Sequence, residues 1–155
     1  MIRIEEIISN LNDLVEINND RIRGYEKAIE AVDPTDVDLI QVFSKMISNS
    51  RSHIQELSQH VLTLGGEVTK GTTASGKLFR TWMDIKSAFS ADDRTSALEL
   101  CESGEDAALK AYKEALKSEE GLTVETAQLL QSQRASLRVD HDEIKALRDL
   151  HKSVS

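Results

Sequence analysis

LGGEVTKGTTASGKLFRTWMDIKSAFSADD, residues 64–93, separates two pairs of long amphipathic stretches and decides how they are connected. Leu64 closes a helical apolar pattern, and Gly65-Gly66 stops it, because glycine takes the left-handed backbone of a helix C-cap without steric penalty. Residues 65–76 are rich in Gly and Thr and read as loop. Lys77 to Phe89 then carries Leu78, Phe79, Trp82, Met83 and Ile85, which predicts a short helix roughly 20 Å long at about 1.5 Å per residue. Ser90 with Asp93 has the spacing of a capping box, Asp replacing Glu or Gln, so a further helix begins there.

Working outward, Ile4, Ile7, Ile8, Leu11, Leu14, Val15, Ile22, Tyr25, Ala28, Ile29 and Val32 predict a first helix over residues 2–32. Asp33-Pro34 reads as a side-chain cap followed by a residue whose missing N–H costs nothing at the first helical position. The second helix covers 35–64 along Leu39, Phe43, Met46, Ile47, Ile54, Leu57 and Val61. The third covers 92–117 on Leu98, Cys101, Ala108, Leu109, Tyr112, Ala115 and Leu116. Gly121 breaks the chain, and the fourth covers 123–151 with Leu130, Leu137, Ile144 and Leu147. Two tight connections make two antiparallel hairpins. A connection of about 25 residues with its own helix at 77–89 is long enough to travel back along the bundle. The expected fold is all-α: a ferritin-like four-helix bundle, two antiparallel hairpins joined by a long crossover containing a short extra helix, in one domain spanning residues 1–155.

The chain can bury a core without covalent staples at 155 residues, and its net charge of −8 argues against a nucleic-acid binder, whose affinity comes largely from Lys and Arg. No apolar run approaches the roughly 18 residues of a membrane span. The stretch from Met1 to Leu14 lacks the basic-then-apolar pattern of a signal peptide. Cys101 has no second cysteine to pair with, so a cytoplasmic location is expected.

Polar residues interrupt the apolar stripes near mid-length: Asn18, Glu105 and His141, with His53 on the flank of the second stripe. Ferritin-type bundles build di-metal sites at that level, from a Glu on each of two helices and a Glu-x-x-His on each of the others. Glu-x-x-His occurs nowhere in the chain. With each residue placed at about 100° intervals, Glu105 is central on the third helix with Glu102 about 60° round from it. Gln133, Arg134, His141 and Arg148 cluster about Leu137 on the fourth. Antiparallel pairing puts Glu105 level with Arg134 and Glu102 level with His141.

Two readings follow. In the first, no residue is catalytic and no cofactor is bound. Glu105 pairs with Arg134, and Asn18, Gln133 and His141 complete a polar layer, since a buried carboxylate must be paired or become neutral. In the second, Glu102, Glu105 and His141 bind iron, manganese or zinc, for redox chemistry or storage. The ligand count weighs against a di-metal centre, because Asn18 and Ser50 face that level and are poor ligands. Asp20 is expected to face outward, toward the crossover. His53 and His60 are expected to pack at the boundary, Tyr25, Tyr112 and Cys101 in the core, and Trp82 with Phe79, Met83 and Phe89 outside the second and fourth helices. Gly71-x-x-x-x-Gly76-Lys77 copies the first part of a P-loop, but Leu78 replaces the magnesium-binding Ser or Thr and no strand precedes it.

Leu11-Asn12-Asp13-Leu14 with Asp20 and Gly24-Tyr25, Leu64-Gly65-Gly66, Gly76 with Arg80 and Trp82, Cys101-Glu102-x-Gly104-Glu105 with Tyr112, and His141-Asp142 with Leu147-Arg148-Asp149 follow one another along the chain in a specific order and spacing. In this punctuation the sequence resembles a bacterial family of uncharacterised four-helix-bundle proteins of the ferritin-like superfamily. The resemblance implies the fold and a bacterial origin, and it lends no catalytic residues. Some distant ferritin-like relatives are associated with stress responses. The expected role is structural or interactive, with a homo-oligomer or protein partner; the alternative is a metal-binding carboxylate protein.

Overall fold

The computed structural model describes residues 3–71, 80, 82–90, 94–117 and 122–154. Four long helices, α1 (Ile4–Ala31), α2 (Val37–Thr63), α4 (Arg94–Leu116) and α5 (Val124–Val154), are accompanied by a short crossover helix, α3 (Ile85–Ser90). Residues 80, 82 and 83 are also helical. The start of the crossover helix at Lys77–Phe79, the Gly76-Lys77 remnant, the Ser90–Asp93 capping box and the Gly121 break involve positions outside the described residues.

The glycine stop after α2 is a full Schellman motif. Gly65 takes φ 86°, its N–H donates to the Leu62 carbonyl at 3.0 Å, and Gly66 N–H donates to the Val61 carbonyl at 3.0 Å. Gly66 must also be bare, because a Cβ there would stand 2.7 Å from Ile8 Cγ2. The α1–α2 link departs from expectation. Asp33-Pro34 does not open the helix: Asp36 N–H donates to the Asp33 carbonyl at 2.8 Å, and Asp33 Oδ1 accepts from Thr35 N–H at 2.9 Å. Asp33 therefore closes a β-turn with Pro34 in its second position, and α2 begins at Val37. Before α5, Thr123 Oγ1 accepts from the Thr126 N–H at 3.1 Å, an N-cap of ordinary geometry.

Cross-helix bonds give the topology. Moving up α1 through Asn18, Arg21 and Tyr25 meets Tyr112 and then Glu105 on α4 in descending order, so α1 and α4 are antiparallel. His60–Thr126, Asn49–Asp140 and Lys45–Glu143 run α2 against α5 in the same way. The apolar core falls into two clusters. One, at the crossover end, gathers Tyr25, Phe43, Met46, Trp82, Leu98 and Ile144. The other, at the opposite end, gathers Leu11, Leu14, Leu57, Val61, Tyr112 and Leu137. A polar level divides them.

The crossover packs mainly on α1 and α4, with Phe89 reaching Phe43 of α2 edge-on at 5.8 Å, rather than on the outside of α2 and α5 as expected. The reason is a pair of glycines. Trp82 is fully buried, and a Cβ on Gly24 would lie 2.2 Å from its Cε3 while one on Gly104 would lie 2.4 Å from its Cζ2. Bare backbone on both helices forms a slot the width of an indole. Tyr25 then packs in tilted contact against Trp82 at 5.1 Å and Phe43 at 5.4 Å between ring centroids.

Candidate functional site

At the dividing level the bundle buries a guanidinium. Arg21 on α1 has no exposed surface. Its Nε donates to Glu105 Oε1 at 2.8 Å and its Nη2 to Glu105 Oε2 at 3.0 Å, a two-point grip on a carboxylate that is itself fully buried. Nη2 also reaches Asp140 Oδ2 on α5 at 3.2 Å, and Nη1 donates to Ser50 Oγ on α2 at 2.6 Å. All four bundle helices thus converge on one cation. Tyr25 completes the set, its hydroxyl donating to Glu105 Oε1 at 2.7 Å. Asn49 Nδ2 holds Asp140 Oδ1 at 3.1 Å.

One turn below, a neutral ring closes the level. Asn18 Nδ2 donates to the Tyr112 hydroxyl at 2.9 Å and the Leu14 carbonyl at 2.8 Å. Asn18 Oδ1 takes Ser50 Oγ at 3.1 Å and lies 3.2 Å from His53 Nδ1. The Tyr112 hydroxyl donates to Gln133 Oε1 at 2.7 Å, and Gln133 Nε2 donates to the His53 carbonyl at 3.1 Å. Every one of these side chains is therefore partnered.

Burial and the guanidinium set the protonation states. Burial alone pulls the Arg21 guanidinium down, but Glu105, Tyr25 and Asp140 outweigh it, and Arg21 is held above its usual range. Burial pushes the Glu105 carboxyl up, against the opposing pull of Arg21 and Tyr25. The Tyr25 hydroxyl is raised by burial and then by Glu105, so it remains a donor. His53 is pushed down to about 4 by burial and by the charge of Arg21. Burial, then Glu105, also drives the Cys101 thiol up, which makes it an unreactive core residue.

Of the expected polar layer, Asn18 and Glu105 lie in the network. Arg134 does not: it is exposed and lines a surface groove with Leu109, Gln131 and Arg138. The Tyr112–Gln133 bond sets the α4–α5 register, so Arg134 stands more than a turn from the level of Glu105, and Gln133 takes the inward direction. The cation for Glu105 comes instead from α1. Asp20, expected to face outward toward the crossover, is fully buried.

His141 and Glu102 are brought together, with Nε2 and Oε1 4.0 Å apart, but on the outer α4–α5 seam beside Asp106 and away from Glu105. The expected triad of Glu102, Glu105 and His141 is therefore split: Glu105 faces Arg21, and Glu102 faces Arg148. His60 sits half-buried with Nε2 2.7 Å from Thr126 Oγ1.

Arg21 and Asp140 join the network without interrupting an apolar stripe as Asn18 and Glu105 do, yet each carries a sequence signal. Asp140 continues Leu130, Gln133, Leu137 and Ile144 at spacings of three and four. Arg21 lies three residues after Asn18 and four before Tyr25, the offsets that share a helix face.

A ferritin-like fold implies metal ions at this level, and the residues present do not fit them. A di-metal centre draws carboxylates and histidines from all four helices. Here Glu105 and Asp140 are the carboxylates at the centre, and both already bind the guanidinium that fills it. Ser50 and Asn18 complete the wall.

The chain belongs to the family described as Domain of unknown function (DUF2383), whose model matches residues 6–118. Among solved structures it is similar to a mutant of Mycobacterium smegmatis Dps1, with a TM-score of 0.75 and 14% identity over 94% of this chain and 96% of that one. It is also similar to the bacterioferritin-related protein of Bacteroides fragilis, a dodecameric thioferritin, with a TM-score of 0.74 and 15% identity over 98% of this chain and 90% of that one. At these identities the likeness is one of fold. No curated protein matches the sequence significantly.

Proposed function

We propose that this DUF2383 member is a non-catalytic ferritin-like bundle, a structural or interaction protein whose core cation is part of its own chain. The observation that carries this reading is the burial of Arg21 between Glu105 and Asp140 at the centre of the four helices. A guanidinium bound to the backbone cannot be exchanged, stored or cycled between oxidation states. The level that ferritin-type catalysts devote to metal chemistry then serves helix register, because each of four helices donates or accepts at one point.

We place its action in an assembly. The Bacteroides fragilis neighbour is dodecameric, and this chain leaves Val139 and Leu150 exposed at 65% and 62% on α5. These two residues are eleven apart, about 20° on the helix, and so share one face. The buried Cys101 suits a reducing cytoplasm. No helix among the described residues is long and apolar enough to cross a membrane.

Adding Fe(II) to the metal-free protein in air tests the proposal. Ferric absorption should appear no faster than in buffer, and light scattering coupled to gel filtration should report a complex larger than one chain. Accelerated iron oxidation that Glu105→Gln abolishes would overturn the non-catalytic reading. A monomer would overturn the assembly.

A further inference from the structure

On the outer seam of α4 and α5, Glu102, Asp106 and His141 each turn a ligand atom toward one point, all within 4.8 Å of one another. We propose that this cluster is a site for a divalent first-row transition ion, separate from the buried network and held by two carboxylate oxygens and one imidazole nitrogen.

The helix geometry prepares the two acids. Glu102 and Asp106 are four residues apart on α4 and so stand one above the other on the same face. His141 comes across from α5, with Nε2 2.7 Å from Asp106 Oδ1 and 4.0 Å from Glu102 Oε1. Zinc bonds of about 2.0–2.2 Å put tetrahedral ligand atoms roughly 3.4 Å apart, between these two separations. Reaching that spacing takes shifts of about 0.6–0.7 Å, which the exposed Asp106 and the half-buried Glu102 side chains can share.

The surroundings orient each ligand. His141 is buried, and its other ring nitrogen, Nδ1, lies 3.1 Å from Asp142 Oδ1. A carboxylate on the far nitrogen is the arrangement that aims a metal-binding histidine and selects its tautomer. With Nδ1–H given to Asp142, the Nε2 lone pair faces the oxygens of Asp106 and Glu102. Nε2 and the two carboxylate oxygens then form a three-atom donor set open to a shared cation. A proton between Nε2 and Asp106 leaves Glu102 Oε1 outside the arrangement, whereas a divalent ion takes all three.

Glu102 is positioned to give that oxygen. Its Oε2 is held by Arg148 Nη1, and Arg148 is braced by Asp149 Oδ1 at 2.9 Å, so Oε1 is the atom left facing His141. Arg138 Nε lies 3.7 Å from Asp142 Oδ1 and offsets part of the acidic charge. One imidazole with two carboxylates suits Zn(II), Fe(II) or Mn(II) better than calcium. Glu105 takes no part, since both its oxygens are engaged in the core.

Zn(II) titrated into the full, metal-free chain by calorimetry, with Co(II) absorption as the spectroscopic probe, tests the site. The expected result is one ion per chain and Co(II) bands of low coordination number. Asp106→Ala should weaken binding at least tenfold while the metal-free protein melts within about 4 °C of the parent, since the substitution removes only one half-exposed contact to His141. Asp142→Ala should weaken binding about tenfold by releasing the ring. Glu26→Ala, on the exposed face of α1, should leave binding unaltered. No saturable binding near one ion per chain would overturn the proposal, as would binding that Asp106→Ala leaves intact.

Discussion

Replacing Glu105 by Ala removes the carboxylate that Arg21 grips at two points and that Tyr25 hydrogen-bonds. Arg21 then keeps only Asp140 Oδ2 at 3.2 Å and Ser50 Oγ at 2.6 Å, inside a core with no exposed guanidinium surface. Breaking a buried pair from one side costs about 3–5 kcal/mol, since the remaining charge is stranded. For a chain of this size that corresponds to a fall in Tm of roughly 6–20 °C. Urea and thermal unfolding followed by circular dichroism measure it directly. Arg21→Met combined with Glu105→Ala supplies the sharper test. The double variant no longer strands Arg21, so its loss should fall short of the sum of the single losses by about 2 kcal/mol or more. A Glu105→Ala protein within about 1 kcal/mol of the parent, together with an additive cycle, would refute the reasoning.

Three further outcomes follow from the same geometry. His53 is buried and pushed down to about 4 from an ordinary value near 6.5, so the unfolded chain binds more protons than the folded one between those values. Stability contributed by neutral His53 is complete above about pH 6.5 and is lost as pH falls toward 4, by about 3 kcal/mol in all; urea unfolding at pH 7 and pH 5 should show this slope, and His53→Gln should flatten it. Gly104→Ala forces a Cβ to within 2.4 Å of Trp82 Cζ2, which should cost about 1–3 kcal/mol and shift the tryptophan emission as the indole leaves its slot. Arg134→Ala, at an exposed position, should move Tm by less than about 2 °C, whereas a large drop would restore it as the partner of Glu105.

The bundle was legible because its signals are local. Gly65-Gly66 stops α2, apolar residues recur at three and four, and a long link lies between two short ones. Local reading erred where the outcome depended on tertiary partners. Asp33-Pro34 suits either a helix cap or a β-turn, and the Thr35 hydroxyl and amide settle it for the turn. Glu105 was legible as a buried acid that needed a cation. The identity of that cation was not, because arginine ordinarily carries its charge to solvent. Only the antiparallel α1–α4 register reveals that Arg21 has no route out. The slot for Trp82 was hidden for a similar reason: Gly24 and Gly104 are mid-helix glycines eighty residues apart, and neither signals the other.

The central claim is that a guanidinium occupies the mid-bundle level where a ferritin-like catalyst would keep metal. Crystals of the parent protein soaked in Mn(II), with data collected at the manganese edge, test it most directly. The account predicts Arg21 in contact with Glu105 and Asp140, and no anomalous peak within bonding distance of either carboxylate. An anomalous peak bridging Glu105 and Asp140, with the Arg21 side chain displaced, would contradict it.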